Sequence, residues 1–454
     1  MSLKPHTLIE QFSPIAFALP RDLGDGLLLR PATRDDAEPL AQFNGRILGR
    51  DHFDEHVAAW TRDFMSLSHP AVGPSNVLVV VDTNAGAKIV SSMCLIPQTW
   101  TYAGIPFGVG RPEAVGTDPE YRRRGLVRAM FETLHARSAA MGHLVQGITG
   151  ILWFYRQFGY EYALDLGGGR SVPFSSIPRL KEGEPERYHL RPMTVDDLAF
   201  VQPLYQQGAA RSLVACVRPD WYWHAILGGY SPESFEVRLL RVIETEVGRP
   251  VGYVAGIREM GYRAFPIGEL EVVNGQSLRA VMPSVLQGLK EMGEMEAAAQ
   301  KNEVNALFFM LGREHPVFDA IPEYFARTRP PYGWYLRVPD LVALLRRIIP
   351  VLEERLAKTA LAGHSGEIKI DEYVRGTRII FDRGKISTVE PWEKAGSTEG
   401  NAGFPPFTFL QLVFGFRSLA ELRASFPDVW ASDEAAVLLD VLFPRRSSNL
   451  IPVG

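Results

Sequence analysis

One pattern occurs twice in this chain, and it constrains the fold more than any other feature. Leu29-Arg30-Pro31-Ala32-Thr33-Arg34-Asp35-Asp36-Ala37 returns as Leu190-Arg191-Pro192-Met193-Thr194-Val195-Asp196-Asp197-Leu198. Each copy reads as the end of a short strand running into a helix. Thr33 and Thr194 stand where an N-cap belongs, with acids in the first turn to favour the helix dipole. Leu40 and Phe43 in one copy, with Val201 and Leu204 in the other, supply the apolar helix faces. The order of elements matches beyond the nine residues. Strands predicted at 76–82, 88–101 (bent near Pro97) and 108–117 precede a helix at 125–141, and strands at 236–244, 251–259 and 267–273 precede a helix at 277–292. A shared order over roughly 150 residues points to duplication of one structural unit.

A chain of 454 residues is too long for a single core. Residues 167–186, rich in Gly, Ser and Pro, read as the linker between the two units. A third segment opens near Pro339 with an amphipathic helix at 341–356. Strand-like runs follow at 367–373, 377–381 and 385–389, then a loop at 394–403 and helices at 407–414, 418–424 and 433–442. This last part reads as an α+β domain with its sheet beside its helices. The expectation is therefore a mixed α/β and α+β protein of three domains, at 1–170, 185–338 and 339–454.

Forty-eight basic against 52 acidic residues, a net charge of −4, argue against a broad nucleic-acid-binding face. Cys94 and Cys216 lie far apart, without metal-ligand spacing or the number a disulfide framework needs, and read as two buried thiols. No apolar run approaches the roughly 18 residues of a membrane span. The stretch at 15–19 is short, ends at Pro20 and lacks a signal-peptide layout. The expected setting is the cytoplasm, without a membrane partner.

Chemistry gathers between the third strand of the first unit and its helix, in Thr117-Asp118-Pro119-Glu120-Tyr121-Arg122-Arg123-Arg124-Gly125-Leu126-Val127-Arg128. A helix N-terminus presents unpaired N–H groups and partial positive charge. Arginines and a glycine at that point make a pocket for a pyrophosphate, the glycine letting the backbone approach the oxygens. After a strand at 144–149 comes Trp153-Phe154-Tyr155-Arg156-Gln157-Phe158-Gly159-Tyr160.

These two segments resemble the hallmarks of the GNAT superfamily of N-acetyltransferases. Its signature is Arg/Gln-x-x-Gly-x-Gly/Ala after a strand with a Pro-containing turn, and Arg122, Gly125 and Val127 occupy those positions, Val127 departing from it. Its second hallmark, Phe-Tyr-x-x-x-Gly-Phe/Tyr, carries the usual general acid, and Tyr155 matches that tyrosine. The resemblance implies acetyl-CoA as cosubstrate and no metal. It implies a cofactor-binding set of Val115, Gly116, Thr117, Arg123, Arg124, Gly125, Leu126, Val127, Arg128 and Gly150, the strand residues meeting the pantetheine arm and Arg123 to Arg128 surrounding the pyrophosphate.

Two tandem units of this kind followed by an α+β tail are similar to the Eis (enhanced intracellular survival) family, which has a degenerate second unit and a sterol carrier protein-like C-terminal domain. Asn274-Gly275-Gln276-Ser277-Leu278, with neither Arg-x-x-Gly nor a basic cluster, fits a second unit that binds no coenzyme A. The resemblance implies an amine acceptor (aminoglycoside-like, polyamine or lysine), a homo-oligomer, hexameric in the family, and a C-terminal carboxylate, here that of Gly454, as the base. Glu113 is the alternative base. A protein that holds acetyl-CoA or a lipid without turnover is the competing function. His52 and His56, four apart on a predicted helix that also carries Trp60 and Phe64, face either a substrate cleft or solvent, and form no metal motif. Trp221-Tyr222-Trp223-His224 reads as packing between domains.

Overall fold

The computed structural model describes residues 18–49, 52–66, 69, 71–178, 187–258, 263–393 and 399–452. The chain divides into two compact units. One takes in residues up to 51, then Phe64–Leu164 and Gly333–Arg446; the other takes in His52–Asp63, Asp165–Tyr332 and residues from 447 onward.

The first unit opens with β1 (Arg21–Asp22), β2 (Leu27–Pro31), helix α1 (Ala37–Leu48) and the helix α2 (Glu55–Met65) that it shares with the second unit. Then come β3 (Val77–Asp82), β4 (Lys88–Tyr102), β5 (Ile105–Thr117), α3 (Leu126–Ala140), β6 (Val145–Ile148) and β7 (Glu161–Leu166). Strands β1 to β6 lie in sequence order, and the strand Tyr332–Arg337, from far along the chain, is inserted between β6 and β7. Leu29, Leu78, Val80, Val90, Met93, Met130, Phe131, Leu134 and Tyr335 build the core between this sheet and α3. The long β4–β5 hairpin keeps its register across Pro97, which faces Gly110. The ladder shows no register shift at Pro97. The irregularity sits instead between Ser92 and Cys94, opposite Glu113–Gly116, where Ala114 takes φ +52° and β5 carries an extra residue.

The second unit begins with β8 (Gly169–Pro173), inside the stretch expected to be a linker. Gly169 adopts φ +146° with Phe309 O where a Cβ would stand, so glycine here allows close strand pairing rather than a loop. β8 pairs antiparallel with a strand at Ala306–Phe309. The unit continues through β9 (Tyr188–Pro192), α4 (Leu198–Ala209), β10 (Val214–Cys216), α5 (Asp220–His224), β11 (Arg238–Thr245), β12 (Pro250–Ile257), β13 (Ala264–Val272), α6 (Leu278–Ala299), β14 (Ala306–Phe309), α7 (Val317–Ala320) and β15 (Arg327–Arg329). Its sheet order is β15-β8-β14-β13-β12-β11-β9. The rest of the first unit comprises β16 (Tyr332–Arg337), α8 (Leu341–Ala357), β17 (Gly366–Asp371), β18 (Gly376–Asp382), β19 (Lys385–Trp392), β20 (Ala402–Gly403), α9 (Thr408–Val413), α10 (Leu419–Ser425), β21 (Trp430–Ala431) and α11 (Asp433–Leu442). Its strands β17 to β21 form a separate sheet.

The repeated motif has one physical cause in both copies: Thr33 and Thr194 stand at the N-cap, as expected, and each forms a capping box with the second aspartate of its motif. Arg30 donates to both oxygens of Asp36 at 2.7 and 2.8 Å, and the Thr33 N–H and hydroxyl donate to the same carboxylate at 2.6 and 2.9 Å. Arg191, Thr194 and Asp197 repeat this at 2.7, 2.6, 2.8 and 3.1 Å. The second aspartate ties the strand end to the helix start, because a carboxylate accepts several charge-assisted bonds at once and a hydroxyl does not.

Candidate active site

β5 and β6 pair in parallel only at Val109–Val145 and Gly110–Gln146. Beyond that point β6 pairs through its other edge with Tyr335–Arg337, while β5 runs on to Thr117 beside β4. The two strands part. Asp118 N–H bonds Val90 O on β4, so alternation along β5 turns the N–H and C=O of Thr117 to the open side.

The chain leaves β5 through Asp118 and a single turn at Pro119–Tyr121, and this turn is anchored by charge. Asp118 accepts from Lys88 at 3.1 Å, from Arg46 at 3.2 Å and from the Glu120 N–H at 3.3 Å. Burial would push its carboxyl up, but these three donors outweigh burial and hold it below the usual range. Arg123 (φ +64°) and Gly125 (φ +77°) then take left-handed conformations that fold the backbone into the start of α3. The N–H groups of Leu126, Val127 and Arg128 open the helix without intrahelical acceptors, the first return bond being Ala129 N–H to Gly125 O at 3.1 Å.

A cleft of about 810 Å³ lies over this turn, lined by Ile47, Leu48, Val115, Gly116, Thr117, Tyr121, Arg122, Arg123, Gly125, Leu126, Val127, Arg128, Ile151, Phe154, Gln157 and Phe158. Eight of the ten expected cofactor-site residues are among them. Arg124 is not, its guanidinium lying 5.0 Å from the Tyr121 ring, and neither is Gly150, an exposed glycine (φ +104°) that turns the chain before Ile151. The structure adds Ile47 and Leu48 from the last turn of α1, which no motif marks. Gly116 allows that approach, since a Cβ there would come 2.9 Å from Ile47 Cγ2.

Tyr155 is 3% exposed and does not line the cleft. Its ring meets Phe154, Tyr335, Phe131 and Tyr160 edge-on at 5.3, 5.4, 6.0 and 6.3 Å. Burial, reinforced by the negative charge of Glu113, pushes the phenol above its ordinary value. Glu113 itself, beside the β5 bulge, is ion-paired with Arg111 at 2.5 Å. Tyr162 and Tyr335 stack at 4.0 Å and share a short hydroxyl contact, and the Tyr335 hydroxyl donates to Ile151 O at 3.3 Å. They thereby hold the lip of the cleft. Gly454 lies outside the described residues.

Of the remaining candidates, His52 and His56 are exposed. His56 Nδ1 meets Glu233 O at 2.5 Å, Trp60 packs on Phe235 at 4.7 Å, and Trp60 and Phe64 are buried. Tyr222 and Trp223 are buried inside the second unit around the Arg218 guanidinium, which pairs with Glu269 at 2.7 Å. At the place in the second unit that corresponds to the cleft, a cavity of about 390 Å³ is lined by Gln207, Arg211, Glu271, Val272, Asn274, Gly275, Leu278 and His315, among others. There the open edge of β13 is already taken. Gln207 Nε2 donates to Val272 O at 3.0 Å, His315 Nε2 meets Leu270 O at 2.9 Å, and Arg211 is paired with Glu271.

Residues 29–163 match the Acetyltransferase (GNAT) domain family. No curated protein sequence matches the chain. Among solved structures, a conserved Enterococcus faecalis V583 protein of unknown function, described as a probable N-acyltransferase, is similar with a TM-score of 0.65 at 14% identity, over 93% of this chain and 98% of that one. A GCN5-related N-acetyltransferase from Kribbella flavida gives 0.62 at 18% identity, over 93% and 99%. Eis1 from Mycobacterium abscessus gives 0.56 at 15%, over 94% and 99%. At such identities these three likenesses speak to the fold. Together with the family match, they establish that the chain carries a GNAT acetyltransferase domain across residues 29–163.

Proposed function

We propose that the chain is an Eis-like, acetyl-CoA-dependent N-acetyltransferase with one working site, in the first of three domains at 1–170, 185–338 and 339–454. One observation carries this reading. A gap between two diverging strands leads to a helix N-terminus, and Arg122, Arg123 and Arg128 line it without a carboxylate partner among the described residues. The gap suits a pantetheine arm added along β5, and the turn suits a pyrophosphate. The closed edge of the second unit and the absence of arginine from its turn at 274–278 support a single site.

In this reading an amine attacks the thioester carbonyl, and the oxyanion forms beside the β5 backbone near Val115. The C–S bond breaks as Tyr155 gives its proton to the departing thiolate, which requires the hydroxyl to reach the end of the cleft it now backs. The Gly454 carboxylate takes the proton the amine loses, with Glu113 as the rival base. The acceptor is a small-molecule or peptide amine, and the protein works as a cytoplasmic homo-oligomer. The test is release of free coenzyme A from acetyl-CoA, read with a thiol reagent, across polyamines, aminoglycosides and lysine peptides. Release that depends on one amine class is expected. Silence across the panel, with acetyl-CoA still bound by calorimetry, would replace the enzyme by a binding protein.

A further inference from the structure

The cations around the cleft are not equivalent, and their bookkeeping narrows the ligand. Arg46 and Lys88 are spent on Asp118. Arg124 is turned away over Tyr121, whose hydroxyl donates to Asp82 at 2.7 Å. Arg122, Arg123 and Arg128 remain, and they fall into two groups. Arg122 and Arg123 belong to the turn itself, Arg122 Nε reaching Thr117 O at 3.4 Å, next to the free N–H groups of α3. Arg128 is instead held by the 154–158 segment, which also lines the cleft. Its guanidinium lies 5.3 Å from the Phe158 ring, and one nitrogen donates to Gln157 Oε1 at 3.4 Å. A planar guanidinium fixed by a ring face and one hydrogen bond keeps its other donors free for a phosphate, at little further entropic cost.

The turn and the helix N-terminus meet the needs of one pyrophosphate. An arginine held by a separate segment, on Phe158 and Gln157, is placed for a second anion. Resting on the acetyl-CoA reading above, we infer that Arg128 binds the 3′-phosphate of the ribose, so that the site selects full coenzyme A over donors that carry the pantetheine arm without it. A phosphate monoester there carries about −1.5 to −2 charge at neutral pH and accepts two parallel bonds from a guanidinium. Phe158 and Gln157 are positioning residues for this contact.

The experiment is calorimetric binding of coenzyme A and 3′-dephospho-coenzyme A to the full chain and to Arg128→Gln and Arg128→Lys variants. The wild type is expected to prefer coenzyme A by roughly 10- to 100-fold, the range of a charge-assisted contact. Arg128→Gln should bring that ratio close to one by weakening coenzyme A, and Arg128→Lys should keep part of it. The dephospho ligand monitors folding, since its binding reports the turn without the proposed contact. A wild-type ratio near one, or a ratio that Arg128→Gln leaves unchanged, overturns the inference alone. Failure of the wild type to bind either ligand overturns the acetyl-CoA reading beneath it.

Discussion

Replacing Tyr155 with phenylalanine isolates the proton-transfer step with little structural disturbance. The ring is held by four aromatic neighbours at 5.3 to 6.3 Å, all of which a phenylalanine keeps. The hydroxyl makes no hydrogen bond among the described residues, so its removal strands no partner and should shift stability by less than about 1 kcal/mol. Tyr155 does not line the cleft, so acetyl-CoA affinity should stay within about twofold. Turnover has no such shelter. Losing a positioned acid costs about 10²-fold or more, near 2.7 kcal/mol of barrier. Burial and Glu113 hold the phenol protonated past its ordinary value, so wild-type turnover should show no fall from this group below roughly pH 10. Steady-state thiol release, calorimetry and a thermal melt on one preparation separate the three effects. A variant with wild-type turnover, or one whose loss is matched by unfolding, would refute the assignment.

Gly125→Ala should fold, since a Cβ there meets nothing within 4 Å, but φ +77° will cost on the order of 1 kcal/mol in the melt. The strained turn would also shift the helix N–H groups it leads into, and calorimetry should show acetyl-CoA binding weakened roughly tenfold or more. Glu113→Gln should leave turnover within about threefold, because Arg111 already holds that carboxylate at 2.5 Å; a loss of about 10²-fold would make Glu113 the base. Asp197→Asn should destabilise the protein in a way that depends on pH. Arg191 lowers the Asp197 carboxyl to about 2 in the folded state, so its stabilisation is present above the unfolded value near 4 and lost as pH falls toward 2. After allowance for solvent screening the effect is on the order of 1–2 kcal/mol at neutral pH, and chemical denaturation at pH 7 and pH 2.5 should show the gap between variant and wild type closing in acid.

Local periodicity wrote most of the elements legibly. The helix expected at 433–442 is α11 to the residue, and the strand expected at 88–101 is one residue longer in the structure. Long-range pairing was not legible. β16 enters the first sheet between β6 and β7 although the residues of the second unit separate it in sequence from both, and nothing local signals that destination. β8 was hidden because Gly169, which allows Phe309 O to approach, looks like a loop residue beside Gly167 and Gly168. The site divides in the same way. Arg122 to Arg128 could be read because turn, glycine and helix start are contiguous, whereas the Arg46–Asp118–Lys88 clamp, the Ile47–Leu48 wall and the Tyr162–Tyr335 pair join residues remote in sequence. Thr33 and Thr194 were legible as N-caps, but the arginine that clamps the capping aspartate from the preceding strand was not.

A strand that parts from its neighbour leaves a row of peptide groups with nothing to bond, and such a row is a template for any other extended chain. In the second unit Gln207 and His315 answer the carbonyls of Val272 and Leu270, and Arg211 with Glu271 occupies the space beside them. That half of the molecule is finished as translated. Among the described residues the edge at Thr117 meets the long Arg122 contact, so on the acetyl-CoA reading the first half would reach the same completeness with its ligand in place. Its resistance to unfolding and to strand-mediated aggregation should therefore follow the supply of that ligand, rising by mass action as the cleft fills. On that reading the two copies of one fold differ in what guards them, one by its own side chains and the other by its ligand.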